Sequence, residues 1–485
     1  MKLLFIQENG MNESIGVAHL SAVIKSGGHD CDLILLSHSK DIFKDIEKYQ
    51  PDVLGFSFMT GSHQNILRLI GKIKEKFPRL PNILGGPHMT FYPDVIKNDY
   101  VDMICRGEGE DAILDLLNKM QENEDISKIP NLYIRQGGTI IKNEVRPLIQ
   151  DLDALPIPDR AIYYKYSFLK DVSMKRFVSS RGCPYACTFC YNSELKRIYK
   201  NKGKYLRWKS VDRLIEEVKL VKEISKLKLV TFSDDNILLN KEWLQELSLK
   251  FSNIIGLPFN CSGRFDQIDP DTAKYLKNAG CNALAVGLES GSERVRNELL
   301  KKRLSDKKII EGAAILKDYD IKILTTNILG APTETLDEMY MTVEMNQKIK
   351  TNFARAFVLL AFPNLKITKL AQENGLLTHD YSVDSCETGL REVVCSKALE
   401  METKNLISLF FIAIRIPILW PVIKIIIKFP IGFILKPFEL FSIYQEMRFF
   451  QVDIISGIKY FINTIEGSRG FLFGKRKSDI TSNFD

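Results

Sequence analysis

No run of about 18 uncharged residues occurs in this chain of 485 residues, so a membrane-spanning helix is not expected. The first ten residues, MKLLFIQENG, reach Gln7 and Glu8 after a handful of apolar side chains and so lack the apolar core of a signal peptide. A reducing cytoplasm is the expected compartment. Lysine and arginine number 67 against 60 aspartates and glutamates, and the two signs are interleaved. That balance gives no dedicated nucleic-acid binder. With 45% hydrophobic and 26% charged residues, neither disorder nor a fibrous class is indicated. No internal repeat is present. Cysteines are few, nine in all, and Cys31, Cys105, Cys261, Cys281, Cys386 and Cys395 stand singly, as packing or surface residues do. What the chain does have is length enough for two or three domains, each with its own core.

From Met1 to about residue 135, the runs KLLFIQ, CDLILL, VLGFSF, PNILGG and MICRG alternate with helical patterns such as HQNILRLIGKIKEKF. This is the rhythm of βαβ units around a parallel sheet, whose ligands sit at the C-terminal strand ends, here SFMTGS, GGPHMT and RGEGE. The RGEGE segment reads equally well as a solvated loop. NLYIRQGGTIIKN reads as a hairpin and RPLIQDLDALPIPDR as a linker, together filling 136–172. Over 173–365 a second series follows, with strands in FVSSRG, KLVTFSDDN, PFNCSGR, ALAVGLES, KILTTNILG and RAFVLLAF. Six βα units make a partial barrel with its chemistry on the C-terminal rim. Residues 366–485 lose the alternation and read as mostly helical.

The remaining three cysteines share one short loop, RGCPYACTFCYN. Thiolates at this density in a cytosolic chain suggest zinc or an iron–sulfur cluster. A structural zinc site wants four ligands, usually in two pairs, and no second pair lies nearby. Three ligands leave a position open.

CPYACTFC resembles the C-x3-C-x2-C signature of the radical S-adenosylmethionine (SAM) superfamily. The resemblance implies that Cys183, Cys187 and Cys190 hold three irons of a 4Fe-4S cluster, whose fourth iron binds SAM. It further implies SAM contacts from Phe189, from Ser233, Asp234 and Asp235 of FSDDN, from Arg264, from Glu289 and Ser290 of VGLES, and from Gly330 and Pro332 of ILGAPTET. ILGAPTET departs from the family's usual Leu-Pro-Gly. Residues 1–170 resemble the cobalamin-binding domain that precedes the barrel in one large class of these enzymes, with Ser57, Thr60, Gly85 and Gly86 as expected cobalamin contacts. The Asp-x-His-x-x-Gly signature of that domain is absent, since the loop after the first strand, QENGMNESIG, has no histidine. No histidine of that loop can then ligate cobalt. His63 and His88 read as surface or packing residues.

The expected fold is therefore α/β: a doubly wound, Rossmann-like cobalamin-binding domain, a (β/α)6 partial TIM barrel and an α-helical C-terminal region. The expected activity is a radical SAM reaction that, with cobalamin, methylates or remodels an unactivated carbon; the alternative is a corrinoid-free oxidative cyclase or carbon–carbon bond former. A low-potential donor such as flavodoxin or ferredoxin is the implied reductant. Residues 405–449 are apolar, broken by four prolines and weakly basic, which fits either the core of a helical cap or a face that lies on a membrane. The second reading makes the location peripheral on the inner face and the substrate lipid-like, with tetrapyrroles and other natural products as the further candidates.

Overall fold

The computed structural model describes residues 1–8, 13–386 and 397–450. Cys395, the side chain of Cys386, the GKRKSD stretch and four residues of the QENGMNESIG loop lie outside the described residues.

The first sheet contains β1 (Lys2–Gln7), β2 (Asp30–Leu35), β3 (Val53–Ser57), β4 (Asn82–Gly85), β5 (Met103–Cys105), β6 (Leu132–Gln136) and β7 (Thr139–Lys142), in the order β2-β1-β3-β4-β5-β6-β7. β1 to β5 are parallel, and β6 and β7 add antiparallel at the edge. Leu3, Leu4, Phe5 and Ile6 are all buried, because helices cover both faces of the sheet. The Gly137-Gly138 turn, with both residues at positive φ, closes the hairpin as the sequence predicts. That hairpin extends the first sheet at its edge. The strand order reverses between β1 and β3, which is where such sheets open a crevice.

The second sheet contains β8 (Met174–Phe177), β11 (Leu229–Phe232), β12 (Phe259–Gly263), β13 (Cys281–Glu289), β14 (Lys322–Leu329) and β15 (Phe353–Val358), in sequential order and all parallel. Helices pack outside it, started by side-chain caps from Ser210, Asn240, Asp269, Ser305 and Thr335. Beneath them Phe232, Phe251 and Phe259 meet edge to face, with centroids 5.0–5.7 Å apart. Each such pair adds about 0.5–1.5 kcal/mol to the burial itself. One strand differs from the sequence reading. The strand is MKRF and not FVSSRG; Ser180–Arg181 (β9) instead pairs with Arg207–Trp208 (β10) as a short antiparallel ribbon.

The two sheets meet along an ionic seam. Arg181 bonds Glu108 at 2.8 Å and Glu110 at 2.5 Å, and Arg207 bonds Glu108 at 2.8 Å. RGEGE is thus the joint between the sheets, not a solvated loop. Behind it the linker's Arg160 is fully buried and donates to Glu13, Glu217 and the Arg176 carbonyl. Burying one guanidinium against two carboxylates fixes the approach of the sheets, since removing either partner strands a charge.

C-terminal to β15, the helix Glu400–Arg415 packs Leu406, Leu409, Phe410 and Ala413 against Leu329, Met339 and Val343. Phe411 and Phe449 close on Phe353, and Arg355 pairs with Glu446. Among the described residues no helix is long and apolar enough to cross a membrane.

Candidate functional site

The cysteine loop leaves β9 through Gly182, whose φ of 96° and closeness to the Tyr205 carbonyl (2.4 Å from a hypothetical Cβ) admit no side chain. Asp234, at the end of β11, receives the backbone N–H and hydroxyl groups of both Ser179 and Ser180. It therefore anchors the strand that launches the loop, and its carboxylate is committed there. Thr188 donates to the carbonyl of Leu299 and, through its backbone, to that of Leu300. Phe189 sits in an apolar cluster with Val295, Ala331, Leu359 and Ile367. These contacts leave Cys183, Cys187 and Cys190 half-buried, reduced and without a disulfide.

Three strand ends, those of β11, β12 and β13, converge on the thiols. Asn192 donates to Cys190 Sγ at 3.6 Å and to Asp235 Oδ2 at 3.1 Å, so Asp235 stands beside the loop. Arg264, from the end of β12, lies with Cζ 3.7 Å from the Tyr185 ring centroid; its fork is closed on Asp266 (3.0 and 3.1 Å) and on the Lys302 carbonyl. Glu289 ends β13 at φ 62°, left-handed backbone that costs a non-glycine residue about 1–3 kcal/mol. Its Oε1 accepts from Lys302 Nζ at 2.7 Å in a buried pair. Gly287 makes room for that pair, since a Cβ there would lie 2.2 Å from Glu289 Oε1. Burial raises the thiols of Cys183 and Cys187, and the charges of Lys302 and Arg264 act on Cys187 in the opposite sense.

The other expected SAM contacts fall out differently. Ser233 is exposed at the rim, whereas Ser290 is fully buried with its hydroxyl on Ser292 N–H and near Thr342. Gly330 and Ala331 give their N–H groups to Glu334 at 2.8 and 2.9 Å, and Pro332 follows in the same buried turn. Burial pushes Glu334 up to about 8, and its Oε1 has no hydrogen-bond partner.

On the other side of the seam lies a cavity of about 360 Å³ at the switch point of the first sheet. Phe5, Phe56, Ile83 and Ile113 give it apolar walls, Gly16, Gly85, Gly86 and Gly109 leave it open, and Ser57 lines it too. Arg181, two residues before Cys183, also lines it and so adjoins both places. His19, 5% exposed, faces the same space, and its Nδ1 has no hydrogen-bond partner. Burial, then the charges of Lys209, Arg181 and Arg160, hold its imidazole neutral. Thr60 is not in the wall: its hydroxyl meets Nδ1 of His88 at 2.9 Å. His88 and His63 are buried and stacked, with centroids 4.4 Å apart, as packing residues. Sequence reasoning missed His19, Lys302, Arg181 and Glu334, although Arg181 and Glu334 stand inside the quoted segments RGCPYACTFCYN and ILGAPTET.

Residues 177–345 match the Radical SAM superfamily, and residues 2–117 match the B12 binding domain. The chain is a radical SAM enzyme with a B12-binding domain. An uncharacterized methyltransferase of Pyrococcus horikoshii is 28% identical to it over 372 residues, 75% of this chain and 79% of the relative. The anaerobic magnesium-protoporphyrin IX monomethyl ester cyclase of Rubrivivax gelatinosus is 25% identical over 403 residues, 77% and 70% of the two chains. The fold of the present chain is similar to that of the radical SAM methyltransferase TsrM from Kitasatospora setae (TM-score 0.64, 15% identity, 77% and 76% covered) and of the cobalamin-dependent OxsB (TM-score 0.63, 15% identity, 76% and 55% covered).

A radical SAM enzyme of this kind uses a 4Fe-4S cluster, SAM and cobalamin, acts on a small molecule and draws on a reductant. The residues present fit all three. Three free thiols on one half-buried loop suit separate irons of a cube. The ionic rim suits a zwitterion, and the glycine-lined cavity suits the bulky tail of a corrinoid.

Proposed function

We propose that this radical SAM enzyme methylates, or closes a ring at, an unactivated carbon of a hydrophobic small molecule. The observation that carries the reading is the adjacency, through Arg181, of the three-thiol loop and the apolar cavity. When bound, the cluster and SAM supply a 5′-deoxyadenosyl radical and cobalamin a methyl carrier. Cys183, Cys187 and Cys190 would hold the cluster. Asp235, Arg264 and Glu289 would surround SAM, with Ser233, Gly330 and Pro332 at the margin and Phe189 packing the loop into place. Asp234 and Ser290 would act from behind, shaping the backbone that touches it. Ser57, Gly85 and Gly86 would line the slot for the corrinoid tail, and Thr60 would support it through His88.

Apolar side chains stand open around the strand ends. Met59, after β3, is 69% exposed, and Phe357 and Leu360, at the end of β15, are 45% and 40% exposed. They are the exposed apolar side chains on which this reading of the substrate rests.

Protein reconstituted without oxygen with iron, sulfide and cobalamin, then given SAM and a reductant, should release 5′-deoxyadenosine. It should also move label from methyl-labelled SAM into an apolar extract. No 5′-deoxyadenosine from a loaded, brown protein would overturn the reading. Release that is indifferent to cobalamin would leave the radical chemistry standing and remove the methyl carrier.

A further inference from the structure

We infer that residues 415–444 form a face that lies on an anionic lipid bilayer. Of the 21 exposed large hydrophobic side chains among the described residues, twelve fall between Ile416 and Tyr444. They are ordered in space. The helix Trp420–Ile426 and its flanks turn Trp420, Ile423 and Ile427 into the protein against the Glu400–Arg415 helix, while Ile418, Val422, Ile425 and Phe429 recur on the opposite side at intervals of four, three and four. A stripe at that spacing is one face of a helix. Ile418 is 83% exposed, and so is Phe433 at the start of the next helix, Gly432–Phe449. An apolar surface this continuous marks an interaction site.

Charge selects the occupant. Between residues 415 and 444 stand Arg415, Lys424, Lys428 and Lys436 against one acidic residue, Glu439, whose Oε1 accepts from Ser408. Lys424 is tied to Glu344 at 3.0 Å, but Arg415 and Lys428 are exposed and make no ion pair among the described residues. An apolar stripe flanked by two exposed cations, Arg415 and Lys428, that make no ion pair among the described residues matches the boundary of anionic headgroups and acyl chains, where each basic residue near the surface is worth about 1 kcal/mol. No helix here spans a membrane, so the contact is interfacial.

Flotation of the full chain with vesicles of phosphatidylcholine alone, and of phosphatidylcholine with phosphatidylglycerol, tests this without any cofactor. It therefore succeeds or fails independently of the radical reading. The protein should float with the anionic vesicles. The Ile418→Glu/Phe433→Glu variant should float at least tenfold less, and Arg415→Gln/Lys428→Gln should lose the preference for anionic lipid. All four positions are exposed, and an unchanged circular-dichroism spectrum and unfolding midpoint of the variants check that they fold. Failure of the wild type to float, or equal flotation of the glutamate variant, overturns the inference. A dimer that the glutamate variant breaks, without flotation, assigns the face to a second copy and overturns it too.

Discussion

The two sheets of this enzyme end side by side, yet they end in opposite ways. The rim of the second sheet is crowded with ions that already have partners: Arg264 on Asp266, Lys302 on Glu289, Asp234 on two serines. The first sheet ends in glycines around an apolar space, where the imidazole of His19 has an unused nitrogen. A rim of satisfied pairs can admit a charged ligand only by exchanging partners, so its affinity depends on how cheaply those pairs reopen. A cavity needs no such exchange and selects by volume. The difference suggests that SAM binding is tuned by electrostatics and corrinoid binding by shape, and that each can be broken without the other.

The largest expected effect comes from the thiols. Replacing Cys183, Cys187 and Cys190 together with alanine should abolish iron, colour and 5′-deoxyadenosine release. Cobalamin retention should persist, because the cavity wall contains none of them. Iron in the triple variant at wild-type level would refute the assignment. Next is the converse lesion, Gly85→Phe. A Cβ at Gly85 meets nothing closer than 4.0 Å, so the rest of a phenylalanine must enter the cavity. Cobalamin retention should fall at least tenfold while iron content and SAM cleavage remain. If both cofactors are lost together, the two ends are not separable in this way.

Stability should divide along the same line. Lys302→Met leaves Glu289 buried without its counter-ion, and breaking such a pair costs about 3–5 kcal/mol in denaturant unfolding. Adding Glu289→Gln to it should recover part of that loss, which a purely steric defect would not do. In the cavity, His19→Leu removes a polar nitrogen that has no partner, so its cost should stay below about 1 kcal/mol. Equal costs on the two sides would contradict the contrast.

Much of this site could be read from the sequence, and what could not has a common cause. The cysteine loop is a local pattern, and the strand-end residues Asp235, Arg264 and Glu289 follow from knowing where parallel strands stop. The seam is not local: Arg181 and Glu108 are 73 residues apart, and nothing in RGEGE shows which cation it will meet. β8 lies ahead of the expected FVSSRG and contains Lys175, a buried lysine whose partner, Glu13 at 3.1 Å, comes from far along the chain. Asp234 and Asp235 are adjacent and alike in sequence. Only the fold separates the one that bonds Ser179 and Ser180 from the one beside Cys190. Partner choice, unlike residue type, is a tertiary property.

Glu334 probes the rim without touching a thiol. Its carboxyl is lifted from 4.5 to about 8 by burial, against the opposing pull of the Ala331 and Gly330 N–H groups. The folded protein therefore keeps a proton that the unfolded chain releases near 4.5. Stability from this group is complete below that pH and is lost as pH rises through 8, by up to about 1.4 kcal/mol per pH unit. Glu334→Gln carries no titrating proton, so the difference in unfolding free energy between wild type and variant should shift in favour of the variant from pH 5 to 8 and level off above. Parallel curves would mean that the carboxylate is already ionised in the fold. The Gly330–Ala331 turn would then be held by a charge and not by a neutral acid, and the rim would be ionic throughout.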